Sequence, residues 1–228
     1  MSKLDFPLFH GTCTLFLERI AQHGLGGWNP VKEWRALDCL RELVPLVEAN
    51  QHRSEILQTH LSTTLIMAAQ SAEGQNFQHG QVYLSPTEQT AVRYACSKRK
   101  GSELISRVVL LAEELERLKV AEVEYDFASR YPELFALRDI DAAPVLVRID
   151  GLTERMLLSE KGGSPDQFLG LIRERLQADP AGYQLSTQQS NFRLTRAIPV
   201  KAIKVNLIAV RKWTAWKVDY GLLPVSLV

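Results

Sequence analysis

Leu8-Phe9-His10-Gly11-Thr12 is the stretch on which the fold turns. An apolar run reaches a polar tripeptide and passes into a helical pattern at Leu15, Phe16 and Ile20, which His23-Gly24-Leu25 closes. Val82-Tyr83-Leu84-Ser85 repeats the arrangement, with a short apolar strand, a polar end and a helix opened by Pro86. Strand ends that run into helices put side chains at the mouth of a cleft. The two stretches therefore predict one wall of a ligand pocket, which the rest of the chain builds or closes.

Leu4 to Phe9 is apolar and interrupted by Pro7, as suits a strand near a sheet edge. Pro30 stands near the first turn of a second helix. Trp34, Leu37, Leu40, Leu43, Val44 and Val47 recur at helical spacing, with Pro45 expected to kink or end that helix. Ile56 to about Gln70 predicts another helix, and the polar stretch 71–80 a loop. After Pro86, Ala91, Tyr94 and Ala95 share a helical face. An amphipathic helix follows near Leu104–Leu118, then a poorly periodic, partly helical stretch from Val120 to Asp141. Pro144–Ile149, Leu152–Ser159, Phe192–Ile198 and Ile203–Val210 read as strands, with a helix from Ser164-Pro165-Asp166 to Gln177. Helices come first and strands second, which predicts an α+β fold rather than a repeating βαβ chain. One domain over residues 1–228 accommodates all of it.

With 228 residues and 46% hydrophobic composition, the chain can bury a sizeable core. Its net charge of +1 sets up no global field, but the charge is uneven. From Pro180 to Val218 there is no acidic residue, while Arg193, Arg196, Lys201, Lys204, Arg211, Lys212 and Lys217 are present alongside Trp213 and Trp216. Such a stretch suits a phosphate backbone and stacked bases, or simply a solvated face over core tryptophans. Cys13, Cys39 and Cys96 are too few and too widely spaced for a zinc site or a disulfide framework, so no metal is expected. His23, His52, His60 and His79 have no ligand-like spacing with acids. The first residues lack a signal-peptide layout and no apolar run approaches spanning length, which predicts a cytoplasmic protein without a membrane partner.

Four segments in order resemble the ADP-ribosyltransferase superfamily, in particular the branch that includes diphtheria toxin and the poly(ADP-ribose) polymerases. They are His10-Gly11-Thr12 with Gly24-Leu25; Tyr83 with its following helix to Tyr94-Ala95; Val145 to Leu152; and Asn191 to Ile198 with Pro199 and Ile203. Tyr83 and Tyr94 are eleven residues apart, the spacing of the two nicotinamide-clamping tyrosines of the polymerases. The resemblance implies a split two-sheet β-core, in which the helices of about 31–70 are an insertion beside the cleft, and it implies NAD as substrate.

In that family His10 would donate a hydrogen bond to the adenosine ribose, Gly11 would grip the nicotinamide amide and Thr12 would assist. Tyr83 and Tyr94 would stack on the ring, with Ser85 and Ala91 completing the cofactor-binding set. Clamping ring and ribose favours departure of nicotinamide and attack on C1′ of the ribosyl cation. Ser85 reads foremost as a cap for the helix after Pro86.

The family usually places a glutamate at the start of the closing strand, where its charge stabilises the cation. Here that place falls on Asn191, and a Gln-x-Glu pattern would align Gln189 with it. The catalytic set the resemblance implies is thus His10, Tyr83, Asn191 and Gln189, without a carboxylate. Glu88 or Glu160 could supply the acid, the site could bind without catalysing, or a glutamate could have been replaced.

RNA 2′-phosphotransferases share the resemblance, since Asn191-Phe192-Arg193-Leu194-Thr195-Arg196-Ala197-Ile198-Pro199 has the cadence of their closing segment. Cys13 nevertheless stands where they use an arginine. The function implied is an NAD-dependent mono-ADP-ribosyltransferase with a macromolecular acceptor, RNA or DNA ahead of protein. A bacterial toxin or phage-defence effector, with an antitoxin or inhibitor as partner, fits that reading. The alternatives are a catalytically inactive NAD- or ADP-ribose-binding or protein-interaction module, and a 2′-phosphotransferase-like enzyme.

Overall fold

The computed structural model describes residues 3–72, 75–76, 79–121, 123–214 and 218–227. Trp216 and Lys217, two members of the basic stretch, lie outside them. Among the described residues the protein is α+β, with ten helices and two main antiparallel sheets of four and three strands.

In chain order, β1 (Leu8–Cys13) carries the whole of His10-Gly11-Thr12 rather than ending at it, and α1 (Leu17–His23) follows. Next come α2 (Pro30–Glu33), α3 (Ala36–Asn50) and α4 (Glu55–Ala69). Pro45 does not break α3. It lies on the exposed side, where water can satisfy the carbonyl left without its amide partner. The expected loop 71–80 contains a short ladder between β2 (Ser71–Ala72) and β3 (Gln75–Asn76). Then follow β4 (Tyr83–Leu84), α5 (Glu88–Ser97), α6 (Glu103–Arg117), α7 (Ala128–Arg130) and α8 (Pro132–Ala136). The last part comprises β5 (Pro144–Ile149), β6 (Leu157–Ser159), α9 (Asp166–Ala178), α10 (Tyr183–Ser186), β7 (Phe192–Leu194), β8 (Ile203–Trp213) and β9 (Val218–Val225).

The chain divides into two compact units. The first comprises residues 1–28, 81–101 and 142–228, and the second residues 29–80 and 102–141. The predicted helical segment 31–70 therefore falls in the second unit together with 102–141.

In the first unit the four-stranded sheet runs β1-β5-β8-β9 and the three-stranded sheet β4-β7-β6. A bridge between Phe9 and Ser85, whose amides and carbonyls exchange bonds of 2.8 Å, joins β1 to β4. α5 packs on one face of the larger sheet, where Phe9, Ala91, Val92, Ala95, Leu146, Ile208 and Val218 form a core. Gly11 makes that contact possible, since a Cβ there would stand 2.1 Å from the carbonyl oxygen of Ala91. Gly24 is the second required glycine. Its φ is +76°, and a Cβ would meet the Ile198 carbonyl at 2.3 Å. That approach lets Leu25 and Ile198 exchange backbone hydrogen bonds of 2.9 Å.

The second unit is helical. α6 packs against α3 and α4, and Leu40, Leu43, Leu57, Leu104, Ile105 and Leu111 are fully buried there. Ser54 caps α4 by accepting from the amide of Leu57, and its hydroxyl donates to the buried Glu114 of α6. Arg117 donates twice to the same carboxylate and holds it below the usual glutamate range.

Candidate functional site

The smaller sheet of the first unit places the chemistry. Tyr83, Arg193 and Leu158 stand in one register row across β4, β7 and β6, and Leu84, Phe192 and Ser159 stand in the next. Side chains alternate across a strand. Leu84, Phe192 and Ser159 point to the buried side. One residue further, Asn191 and Glu160 return to the face of Tyr83 and Arg193. Tyr83, Arg193, Asn191 and Glu160 are therefore gathered on one half-open face.

Within that group the Asn191 amide donates from Nδ2 to Oε2 of Glu160 at 3.3 Å. Burial raises the Tyr83 phenol above its ordinary pKa, the Glu160 carboxylate adds to the rise, and Arg193 partly offsets it. Tyr83 thus stays a neutral phenol at neutral pH. Glu160 was one of two acids left open by the sequence. The other, Glu88, lies on α5 and accepts the Tyr220 hydroxyl of β9 at 2.6 Å, committed to another part of the unit.

His10 reaches this group from β1. Its Nδ1 donates to the carbonyl oxygen of Tyr83 at 2.9 Å. A carbonyl can only accept, so the neutral ring carries its proton on Nδ1 and leaves Nε2 as an acceptor. Burial pushes its pKa below 6.5, with the bond to Tyr83 opposing. Neutral His10 therefore suits a donating hydroxyl such as a ribose provides, the reverse of a histidine that donates from that nitrogen.

The remaining predicted residues sit as follows. Thr12 is buried inside β1, at 3% exposure, and Gly11 lies under α5. Ala91 belongs to the α5–β1 core and presents no surface to a ligand. Ser85 is buried and accepts from the Thr87 amide at 3.2 Å, shaping the turn into α5, whose N-cap position is Thr87. Tyr94 is on α5 at 38% exposure, with the Lys98 ammonium 6.0 Å from its ring centre. Gln189 is exposed in the turn before β7. The four segments that carry the resemblance meet within this unit: β1 pairs with β5, β1 bridges β4, β4 pairs with β7, and Leu25 bridges Ile198.

Among the described residues no cluster of three or more histidine, cysteine, aspartate or glutamate side chains could hold a metal, and no helix is long and apolar enough to cross a membrane. The three cysteines are free thiols; burial pushes Cys13 up to about 11 and Cys39 up to about 12, which makes both poor nucleophiles. Comparison with protein-family models, with curated proteins and with solved structures finds no match.

Proposed function

We propose that the first unit is an ADP-ribosyltransferase-like, split two-sheet core that binds NAD and transfers its ADP-ribose to a macromolecule, with the helical unit as an insertion. The observation that carries this reading is the meeting of His10, Tyr83, Asn191 and Glu160 at one end of paired strands.

In this reading the Tyr83 ring stacks on nicotinamide, a contact worth about 0.5–1.5 kcal/mol beyond burial. His10 Nε2 accepts from an adenosine-ribose hydroxyl. Glu160, oriented by the Asn191 amide, supplies the negative charge that favours the cationic ribosyl carbon, so the acid comes from the end of β6 rather than the start of β7. The C1′–nicotinamide bond breaks with its electron pair leaving on nicotinamide. A nucleophile of the acceptor bonds to C1′ and gives up its proton. The acceptor assigned by the basic stretch is RNA or DNA ahead of protein, in the setting of a toxin or defence effector held by an inhibitor.

Incubation with NAD labelled in the adenylate, with RNA, DNA and lysate protein as acceptors, tests the proposal. Label transferred to an acceptor supports it, and NAD that stays intact with every acceptor contradicts it. Asn191 at the place of the family's glutamate favours one second reading, an inactive module that binds NAD or ADP-ribose. That module would bind NAD without releasing nicotinamide.

A further inference from the structure

A cavity of about 800 Å³ opens on the face of the four-stranded sheet, beside the first turn of α5. Its floor is a register row, Leu146, Asn206 and Pro224, on β5, β8 and β9. The next row on that face brings two cations together, Arg148 and Lys204. Asp150 fixes both, accepting from Arg148 Nε at 2.9 Å and Lys204 Nζ at 3.0 Å. Lys201 adds a third cation at the rim, and Glu88 of α5 stands among the lining residues.

We propose that this cavity binds single-stranded nucleic acid, with an unpaired base on the Leu222–Pro224 floor and phosphates on Arg148, Lys201 and Lys204. Its volume falls within the roughly 300–1,000 Å³ of pockets that enclose small ligands, so it takes a splayed base and not a duplex. Lys201 and Lys204 arrive on a chain segment, residues 180–218, without a single acid, and Arg148 joins them from β5. Asn206 can read a base edge through both halves of its amide. Glu88 uses one lone pair for Tyr220 and keeps others to accept from an exocyclic amino group, which cytosine and adenine carry and uracil and thymine lack. An acidic peptide, the other polyanion that the cations would draw, brings carboxylates that can only accept and so offer Glu88 no donor. The binding stands apart from the transferase reading, because it is read without NAD.

Fluorescence anisotropy with labelled oligomers of about ten nucleotides tests it, using oligo-C and oligo-U as RNA and DNA and oligoglutamate as a competitor. Oligo-C binds more tightly than oligo-U, and three phosphate contacts give log K against log salt a slope of about −2. Lys201→Glu weakens binding about tenfold or more while Lys32→Glu on the other unit leaves it unchanged. Glu88→Gln narrows the gap between oligo-C and oligo-U without abolishing binding. Four results would each overturn the proposal: no binding at about 50 mM salt, equal binding of oligo-C and oligo-U, competition by oligoglutamate at equal charge, or indifference to Lys201→Glu. The RNA and DNA arms tell which sugar the site prefers.

Discussion

Asn191 and Glu160, thirty-one residues apart in the chain, meet across β7 and β6 with the amide of one donating to the carboxylate of the other at 3.3 Å. In the proposed transferase reading, this relationship answers the missing glutamate of the closing strand. An amide at the start of a closing strand cannot bring negative charge to a cleft, but it can hold and orient a carboxylate delivered by the neighbouring strand. The charge then sits one strand away from where the resemblance expects it.

Tyr83 should separate stacking from hydrogen bonding. Tyr83→Ala loses the ring and weakens NAD binding by about tenfold or more, whereas Tyr83→Phe keeps most of the affinity. Calorimetric titration of both variants with NAD checks this, and unchanged affinity in Tyr83→Ala would remove the residue from the pocket.

Two glycines hold the first unit together by close approach. Gly24→Ala forces a side chain into left-handed backbone and against the Ile198 carbonyl, and should destabilise the protein by about 1–3 kcal/mol or more. Gly11→Ala should do comparable damage by pushing α5 off β1. Urea denaturation followed by circular dichroism measures both, and wild-type midpoints would contradict the packing described.

Acidification should destabilise the protein from the histidine side. His10, His60 and His79 are all held below the ordinary 6.5, first of all by burial. A base with a depressed folded pKa binds more protons when unfolded. Its contribution is full above 6.5 and is lost as pH falls through the folded value. Denaturation midpoints should therefore decline between about pH 7 and pH 5, and His10→Gln should lessen the decline. A flat profile would argue against burial of these rings.

In the second unit, Ser54→Ala removes the cap of α4 and one donor to Glu114, and should lower stability by about 1–2 kcal/mol. Ser54→Thr keeps the hydroxyl and should restore most of it. The same denaturation series reads both.

Much of the fold was legible because local patterns were strong. Pro144–Ile149 matches its strand residue for residue, and the apolar spacing of α3 and α6 reports their buried faces, whereas α4 exposes Ile56 and Leu65 and buries Thr64 and Met67. β9 was missed because Gly221 and Pro224 interrupt its alternation and its partner strand lengthens beyond the predicted Val210 to Trp213. Phe192–Ile198 was read as one strand, but only Phe192–Leu194 pairs as a strand, and Ile198 instead bridges Leu25. For the candidate site, the resemblance singled out His10, Tyr83 and Asn191, and residue types and spacing alone did not. They could not rank Glu160 above Glu88, because that choice depends on the register of β6 against β7 and on Tyr220 reaching α5. Ala91 was placed in the cofactor-binding set by the resemblance, but its face packs on Gly11.

The most direct test of the account is nicotinamide release from NAD by the wild-type protein and by Glu160→Gln, each paired with a calorimetric measurement of NAD binding. The account predicts measurable release by the wild type, and a loss of about a hundredfold or more in Glu160→Gln with NAD binding largely kept. Release that is equal in the two proteins would contradict the role of Glu160, and NAD binding without any release by the wild type would contradict catalysis altogether.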